Sequence, residues 1–190
     1  MRVRGLISKG SSRKIETARR VFAEQVDQAG LLSAIDVSAS DVRTPLMFEY
    51  QLMERARADR QRIVLPESED DRILEAAAIL LRRGVANMIL LGDETKVRAR
   101  ASALGLDLDE ASIVSPLDAG LVEKFAAAYA KARAHKGMTL EHARDVVTDI
   151  SYFGTMMVNL GMADGMVSGA VNTTAHTIRP SFEIIKTAPG

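Results

Sequence analysis

Residues 62–91 read RIVLPESEDDRILEAAAILLRRGVANMILL, and they are the most informative segment about the architecture. Two short strand-like runs, RIVL at 62–65 and MILL at 88–91, flank a segment whose apolar residues recur at helical spacing. Gly84 stands where that helical pattern stops, which is typical of a glycine cap at the end of a helix. A strand, a helix and a second strand in this order predict a parallel βαβ unit.

The same alternation continues toward residue 190, with short apolar runs between helical segments. We expect further strands at 113–114 and 165–167, and further helices at 95–104, 121–133, 139–149 and 152–160. Ser68 is predicted to cap the first helix of the series. Short apolar strands that alternate with helices predict an α/β fold, in which helices cover both faces of a parallel sheet.

The first 61 residues carry no strand pattern and predict a helical connector. Apolar residues at helical spacing predict one helix over 15–29, which Gly30 would end. A second helix is predicted over 46–60, with Pro45 in its first turn. The domain boundary therefore falls at 61/62 in this interpretation.

The composition excludes several classes of protein. The chain has 25 basic and 25 acidic residues, so its net charge gives no general attraction to nucleic acid or to membranes. It has no cysteine, which excludes a thiol nucleophile and a cysteine zinc site and suits a reducing compartment. No apolar run is long enough to span a bilayer. We expect neither a nucleic-acid nor a membrane partner.

Residues 163–180, ADGMVSGAVNTTAHTIRP, carry the polar groups of greatest chemical interest. A strand that turns through small residues at 168–170 into a helix presents free backbone N–H groups, which favour an anion. Hydroxyl groups, among them that of Thr177, add donors, and the planar guanidinium of Arg179 matches a phosphate or a carboxylate. The segment predicts a phosphate or acyl-phosphate site, although an ordinary turn with a capped helix would have a similar composition.

Parallel sheets bind ligands at the carboxyl ends of their strands. This rule points to the segments at 66–71, 92–93, 115–118 and 168–170. The acidic residues of the first segment fit helix capping better than metal binding, and we expect no metal site. These residues are Glu67, Glu69, Asp70 and Asp71. The chain has no glycine-rich dinucleotide fingerprint and no Walker loop.

Four motifs occur together in the second half of the chain. They are SYFGTMMV at 151–158, DGMVSGA at 164–170, TIRP at 177–180 and IIKT at 184–187. In combination they resemble phosphate acetyltransferase (phosphotransacetylase), and the resemblance covers about residues 62–190. It marks this part as the N-terminal part of a phosphate acetyl/butyryl transferase domain. The first 61 residues resemble the connector that follows an upstream domain in the long bacterial form.

The resemblance implies reversible transfer of an acetyl group between acetyl phosphate and coenzyme A. Coenzyme A would be a substrate, and no bound cofactor is expected. The implied fold is that of the isocitrate and isopropylmalate dehydrogenases, here incomplete, with the active site in a cleft between two domains. A cytoplasmic location is expected, and the complete protein is expected to be a homo-oligomer.

The resemblance also assigns residues. Two arginines of the family fall on Arg133 and Arg179, which we expect to act in catalysis on the phosphate. The small-residue turn near the phosphate falls on Ser168 and Gly169, and Thr177 is a further candidate for substrate binding.

The family's catalytic region continues past the TIRP motif, and its second half carries a Ser-Arg pair and an aspartate base that have no match here. We therefore expect residues 1–190 to be part of a longer protein, and the isolated chain to be inactive and prone to association. His176 is the one residue of the central segment that could serve as a spare base. Three alternatives stay open: a phosphate butyryltransferase, a dehydrogenase of the isopropylmalate type, and a phosphate-binding fragment without catalysis.

Overall fold

The computed structural model describes residues 12–35 and 43–188. The chain divides into two compact units between Met47 and Phe48. Segments 1–11 and 36–42 of the predicted connector lie outside the described residues. The domain boundary at 61/62 stays a prediction.

The connector contains helices, and one predicted helix is split in two. Helix α1 spans Ser12–Gln25, α2 spans Gln28–Ile35 and α3 spans Pro45–Ala58. Gly30 does not end a helix but lies inside α2, and its N–H donates to Oδ1 of Asp27 at 3.0 Å. Asp27 thus supplies a carboxylate acceptor at the start of α2, which is the usual way to begin a new helix.

The second unit is built on a parallel four-stranded sheet with the order β3-β2-β1-β4. The strands are β1 Gln61–Leu65, β2 Ala86–Leu91, β3 Ser112–Val114 and β4 Gly165–Met166. Each neighbouring pair is parallel, with Val64 opposite Ile89 on one side and opposite Met166 on the other. The predicted parallel sheet is confirmed.

Helices cover both faces of this sheet, as predicted. They are α4 Asp71–Arg83, α5 Glu94–Ala103, α6 Ala119–Arg133, α7 Leu140–Val147, α8 Ile150–Asn159 and α9 Thr174–Ile184. Successive side chains of a strand point to opposite faces, so Val64 packs with α6 to α9, whereas Leu65 packs with α4 and α5. The result is two separate cores, one on each face.

The first helix of the sheet unit is capped differently from the prediction. Asp70, not Ser68, accepts a hydrogen bond from the N–H of Arg72 at the start of α4. The hydroxyl of Ser68 is buried and donates to the carbonyl oxygen of Leu91 at 2.5 Å. Ser68 therefore ties the loop after β1 to the end of β2. Gly84 ends α4 with φ 64°, as the sequence predicts.

The last strand is shorter than predicted. It has two residues, and Val167, which was predicted to belong to it, lies outside it and is 60% exposed. Within the described residues, β4 lies at the edge of the sheet and pairs only with β1. An edge strand has a neighbour on one side only, which explains the exposure of the residue that follows it.

Helix α8 lies very close to the sheet at Gly154. A Cβ atom on this residue would be 2.6 Å from Sδ of Met166 and 3.3 Å from Cγ1 of Val64. Only a residue without a side chain fits there without displacement of its neighbours.

Among the described residues, no helix combines the length and the apolar character that are needed to cross a membrane.

Candidate functional site

The turn between β4 and α9 binds a carboxylate of its own chain. The N–H groups of Gly169 and Ala170 donate to Oε2 of Glu67, both at 2.9 Å. Those of Val171 and Asn172 donate to Oε1 of Glu67, at 2.8 and 2.6 Å. Glu67 is only 4% exposed. The expectation that these N–H groups are free is therefore wrong, because a buried carboxylate already uses all four.

The surroundings of Glu67 keep its carboxyl group ionised. Burial by itself would raise the pKa of Glu67, but the four backbone donors together outweigh burial and lower the pKa below its usual range. Arg72 in the first turn of α4 adds a contact, since its Nη2 donates to the carbonyl oxygen of Ala170 at 2.9 Å. The loop after β1 and the start of α4 thus hold the turn through both its N–H and its C=O groups.

This contact lies at the topological switch point of the sheet. The chain passes from β1 to β2 and β3 on one side, whereas β4 lies on the other side of β1. Open α/β sheets bind ligands at the carboxyl ends of the strands that flank such a point. Glu67 follows β1 and the turn follows β4, so the two meet where a ligand site is expected.

A cavity of about 650 Å³ opens at the carboxyl ends of β1, β2 and β3. Three of the four segments that the strand-end rule selected contribute to its wall, and the fourth lies next to Val171, which also lines it. The charged and polar side chains of the wall belong to Glu67, Glu69, Asp70, Asp93, Lys96, Ser115, Thr148 and Asn172. None of the residues assigned through the family resemblance lines this cavity.

Arg133, one of the two assigned arginines, is the last residue of α6. Its Nη2 lies 3.8 Å from Oε1 of Glu183, and its side chain is 21% exposed. Its Nε is buried and has no hydrogen-bond partner among the described residues. Since buried guanidinium nitrogens usually have partners, the contact with Glu183 does not satisfy Arg133 completely.

Glu183, which contacts Arg133 through Oε1, is itself held in place through its second carboxylate oxygen. Oε2 accepts hydrogen bonds from the hydroxyl groups of Tyr129 at 2.9 Å and of Tyr152 at 3.2 Å. Burial raises the pKa of both tyrosines, and the negative charge of Glu183 raises it further. Both hydroxyl groups therefore remain protonated and donate to the carboxylate at neutral pH.

Arg179 lies on the same face of α9 as Glu183, because residues four apart in a helix are neighbours on its surface. Both residues line one shallow, open depression. The positive charge of Arg179 also reaches Tyr152, where it opposes the rise in pKa. Arg133 thus contacts Glu183 directly, whereas Arg179 lies near the same cluster through its effect on Tyr152 and its place beside Glu183 on α9.

Ser168, Gly169 and Thr177 lie on another side. The hydroxyl oxygens of Ser168 and Thr177 are 3.4 Å apart. Residues two apart in a helix do not face each other, so Thr177 points away from the side on which Arg179 lies. Gly169 adopts φ 120°, a conformation that residues with a side chain rarely adopt. The five assigned residues therefore divide into a hydroxyl pair beside a glycine turn and two arginines near Glu183.

Both ring nitrogens of His176 are engaged. Nε2 lies 2.7 Å from Oδ2 of Asp149, and Nδ1 lies 3.1 Å from Oδ1 of Asn172. Asp149 also caps α8 through its other oxygen, which accepts from the N–H of Ser151. Because Nε2 joins α9 to the cap of α8 and Nδ1 contacts the turn before α9, His176 does not present a free nitrogen as a spare base.

The acidic residues after β1 have separate roles. Asp70 caps α4, and the carboxylate of Asp71 accepts from Nε of Arg100 at 2.7 Å. Within the described residues, no three side chains of histidine, aspartate or glutamate converge to hold a metal ion.

Sequence reasoning missed the residues that organise these groups. Glu67 could have been found, because an acid directly after a strand is near the strand-end edge, but helix capping explained it more simply. Tyr129, Tyr152 and Glu183 gave no signal, since their contact joins residues that are 31 and 54 positions apart.

Comparison with known proteins places the chain in a family. A family model described as "Phosphate acetyl/butaryl transferase" matches residues 47–190. The phosphate acetyltransferase of Nitratidesulfovibrio vulgaris is 52% identical over 186 residues, which are 98% of this chain and 26% of the relative. The phosphate acetyltransferase of Corynebacterium glutamicum is 54% identical over 143 residues, or 75% of this chain and 44% of the relative.

A solved structure agrees with this result. The phosphotransacetylase from Streptococcus pyogenes superimposes with a TM-score of 0.74 at 38% sequence identity, over 78% of this chain and 45% of that chain. This chain spans between about a quarter and just under half of the length of these relatives. Since the family model matches well over half of the 190 residues, the chain belongs to the phosphate acetyl/butaryl transferase family.

Proposed function

We propose that residues 48–190 form the phosphate-facing part of an acyltransferase that moves an acetyl group reversibly between acetyl phosphate and coenzyme A. The observation that carries this proposal is that Arg133 and Arg179 both lie near the Glu183–Tyr129–Tyr152 cluster, Arg133 by contact with Glu183 and Arg179 by its effect on Tyr152. Guanidinium groups suit a ligand with several negative oxygens, which a phosphate supplies. The names of the relatives support the same reaction.

The chemistry explains why arginines are useful here. When a thiolate attacks the acyl carbon of acetyl phosphate, negative charge develops on the carbonyl oxygen and on the departing phosphate. Arginine forks hold phosphate oxygens and neutralise that charge as it develops. Binding both substrates together also removes the entropy of their encounter, which lowers the barrier. Direct transfer needs no nucleophile from the protein, and the chain has no cysteine.

Ser168 and Thr177 have a different role in this proposal. Their hydroxyl groups can donate to substrate oxygens, whereas the backbone N–H groups of the turn already serve Glu67. Gly169 contributes its conformation, because φ 120° lets the chain turn toward Glu67.

Coenzyme A enters as a substrate, and neither its binding surface nor the base for its thiol is assigned to a described residue. We propose that both belong to the part of the full-length enzyme that this chain does not cover, since the chain spans less than half of these relatives. We further propose that the working enzyme is a cytoplasmic homo-oligomer with no nucleic-acid or membrane partner.

The alternatives make different predictions. Phosphate butyryltransferase activity has the same chemistry, but the relatives from Nitratidesulfovibrio vulgaris and Corynebacterium glutamicum carry the acetyl name. A dehydrogenase of the isopropylmalate type would need acidic metal ligands, which do not converge in the described residues. A fragment that only binds phosphate would show affinity without turnover.

The test uses two proteins. One is the 190-residue chain. The other, which we call the extended chain, is residues 1–190 followed by the part of the Nitratidesulfovibrio vulgaris relative that lies C-terminal to the region aligned with this chain. We expect the extended chain to form acetyl-CoA from acetyl phosphate and coenzyme A faster than it forms butyryl-CoA from butyryl phosphate, and the 190-residue chain to be inactive. A faster reaction with butyryl phosphate, or turnover by the short chain that is lost in Arg179→Ala, would contradict this assignment.

A further inference from the structure

Glu67 occupies a position that the proposed reaction does not explain. It is a buried carboxylate, its two oxygens accept four backbone N–H groups, and it belongs to the loop after β1 rather than to the turn that it binds. Four converging N–H groups make a concave site for an anion. In this protein the anion is a side chain, so the site is filled permanently.

The turn depends on this contact for its shape. The N–H of Val167 donates to the carbonyl of Val64, and the N–H of Thr177 donates to the carbonyl of Thr173. Between these two points, the N–H groups of residues 169–172 donate to Glu67. The segment therefore has its conformation fixed by a side chain from another loop instead of by a backbone ladder.

We infer that Glu67 is a positioning residue, an internal anion that assembles the turn at 168–172 and fixes the start of α9. It sets the place of Ser168 within the turn and, through α9, the places of Thr177 and Arg179 relative to the substrate's phosphate. This inference rests on the proposed function, because it concerns the same substrate. It also implies that the phosphate is held by side chains, while the backbone donors of the turn are reserved for Glu67.

The geometry separates this role from simple stabilisation. A side chain that only stabilises the fold can be lost with no effect on substrate binding, as long as the protein stays folded. A side chain that acts as the turn's anion can be replaced by another small anion. Removal of the carboxylate in Glu67→Ala leaves four N–H groups around a space that formate can occupy.

The first experiment measures the turn itself in the 190-residue chain. Amide hydrogen exchange should show that the N–H groups of residues 169–172 are protected in the wild type and exchange faster in Glu67→Ala. Added sodium formate should restore both the protection and the Tm of this variant, whereas sodium chloride at the same concentration should not. Glu69→Ala is the matched control, since Glu69 is an exposed acid two positions away and should behave as the wild type.

A second variant covers the case in which Glu67→Ala does not fold. Glu67→Gln keeps the shape of the side chain but replaces one carboxylate oxygen with an NH2 group, which cannot accept a hydrogen bond from an N–H. Only some of the four backbone N–H groups should therefore stay protected. Wild-type exchange rates in a folded Glu67→Ala or Glu67→Gln variant would overturn the inference. So would a formate effect of equal size in Glu69→Ala.

The second experiment measures catalysis in the extended chain. Glu67→Ala should raise the KM for acetyl phosphate or lower kcat, so that kcat/KM falls about tenfold to a hundredfold, as expected when reacting groups are misplaced. The KM for coenzyme A should not change, and formate should restore activity in part. If Glu67→Ala exchanges the N–H groups of residues 169–172 faster but has unchanged kinetics, Glu67 shapes the turn without positioning the substrate-binding residues. That result would overturn the positioning role but not the role in the turn. An inactive wild-type extended chain would instead overturn the proposed function.

Discussion

Arg62 and Asp164 are joined by a double clamp at the start of β1. The backbone N–H of Arg62 and its Nε donate to Oδ2 of Asp164 at 2.8 and 3.0 Å, and its Nη2 donates to Oδ1 at 2.7 Å. The N–H of Asp164 donates back to the carbonyl oxygen of Arg62 at 2.8 Å. The clamp fixes the start of β4 beside the central strand.

The clamp predicts a dependence of stability on pH. The hydrogen bonds from Arg62 lower the pKa of Asp164 from its ordinary value of 3.8 to about 2. Because the folded state lowers this pKa, the stabilisation is complete above the ordinary value and is lost as the pH falls through about 2. Asp164→Asn should lower the Tm at neutral pH. The difference in Tm between this variant and the wild type should shrink as the pH falls from 3.8 to about 2. A constant difference in Tm over this range would contradict the prediction.

Arg179 is predicted to bind the charge that develops on the phosphate. In the extended chain, Arg179→Ala should lower kcat/KM for acetyl phosphate. The loss should correspond to about 2–4 kcal/mol of transition-state stabilisation. Arg179→Lys should recover only part of the loss, because lysine has a charge but no planar fork. Steady-state kinetics measure both variants. Full recovery with lysine would show that two-point binding is not needed.

Arg133 is predicted to bind the phosphate-bearing substrate. Arg133→Gln should raise the KM for acetyl phosphate by about tenfold to a hundredfold, since a charge-assisted hydrogen bond is worth about 1.5–3 kcal/mol. Lys131→Gln is the control, as Lys131 is an exposed cation in the same helical turn. An equal effect in both variants would reduce the role of Arg133 to general electrostatics, and no effect in either would leave only its contact with Glu183.

The close approach of α8 to the sheet predicts a cost for any side chain at position 154. Gly154→Ala adds a methyl group to a packed core and should destabilise the protein by about 1–3 kcal/mol, even though alanine favours helices. Urea denaturation measures the change. Gly120→Ala is the control, because the nearest atom to its Cβ would be Oδ1 of Asp118 at 3.4 Å. If both substitutions stabilised the protein alike, packing at Gly154 would not be limiting.

The comparison of sequence and structure shows which features are local. Gly84 and the apolar runs beside it predict their own conformation, because a helix end and a buried strand depend mainly on nearby residues. The choice between Ser68 and Asp70 as the cap depends on where the loop meets β2, and the sequence pattern carries no such information. The strand alternation therefore predicted the sheet, but not the details of its loops.

The candidate site was predictable only in part, for the same reason. The strand-end rule points to the turn at 168–170 and to the segment that contains Glu67, but it does not show that the two segments touch. Their contact joins positions more than one hundred residues apart. The pairing of Glu183 with two tyrosines has a similar long-range origin, so it appears only once the helices are packed.

The shortness of the outer strands decides how this chain can associate with itself. Within the described sheet the edges are β3 and β4, with three and two residues, which offer too few backbone groups to template fibrils. Phe182, in contrast, is 63% exposed, with Ile178 beside it on α9. Clusters of the purified chain should therefore form through side-chain contacts, stay reversible and dissolve in mild detergent, without a thioflavin signal.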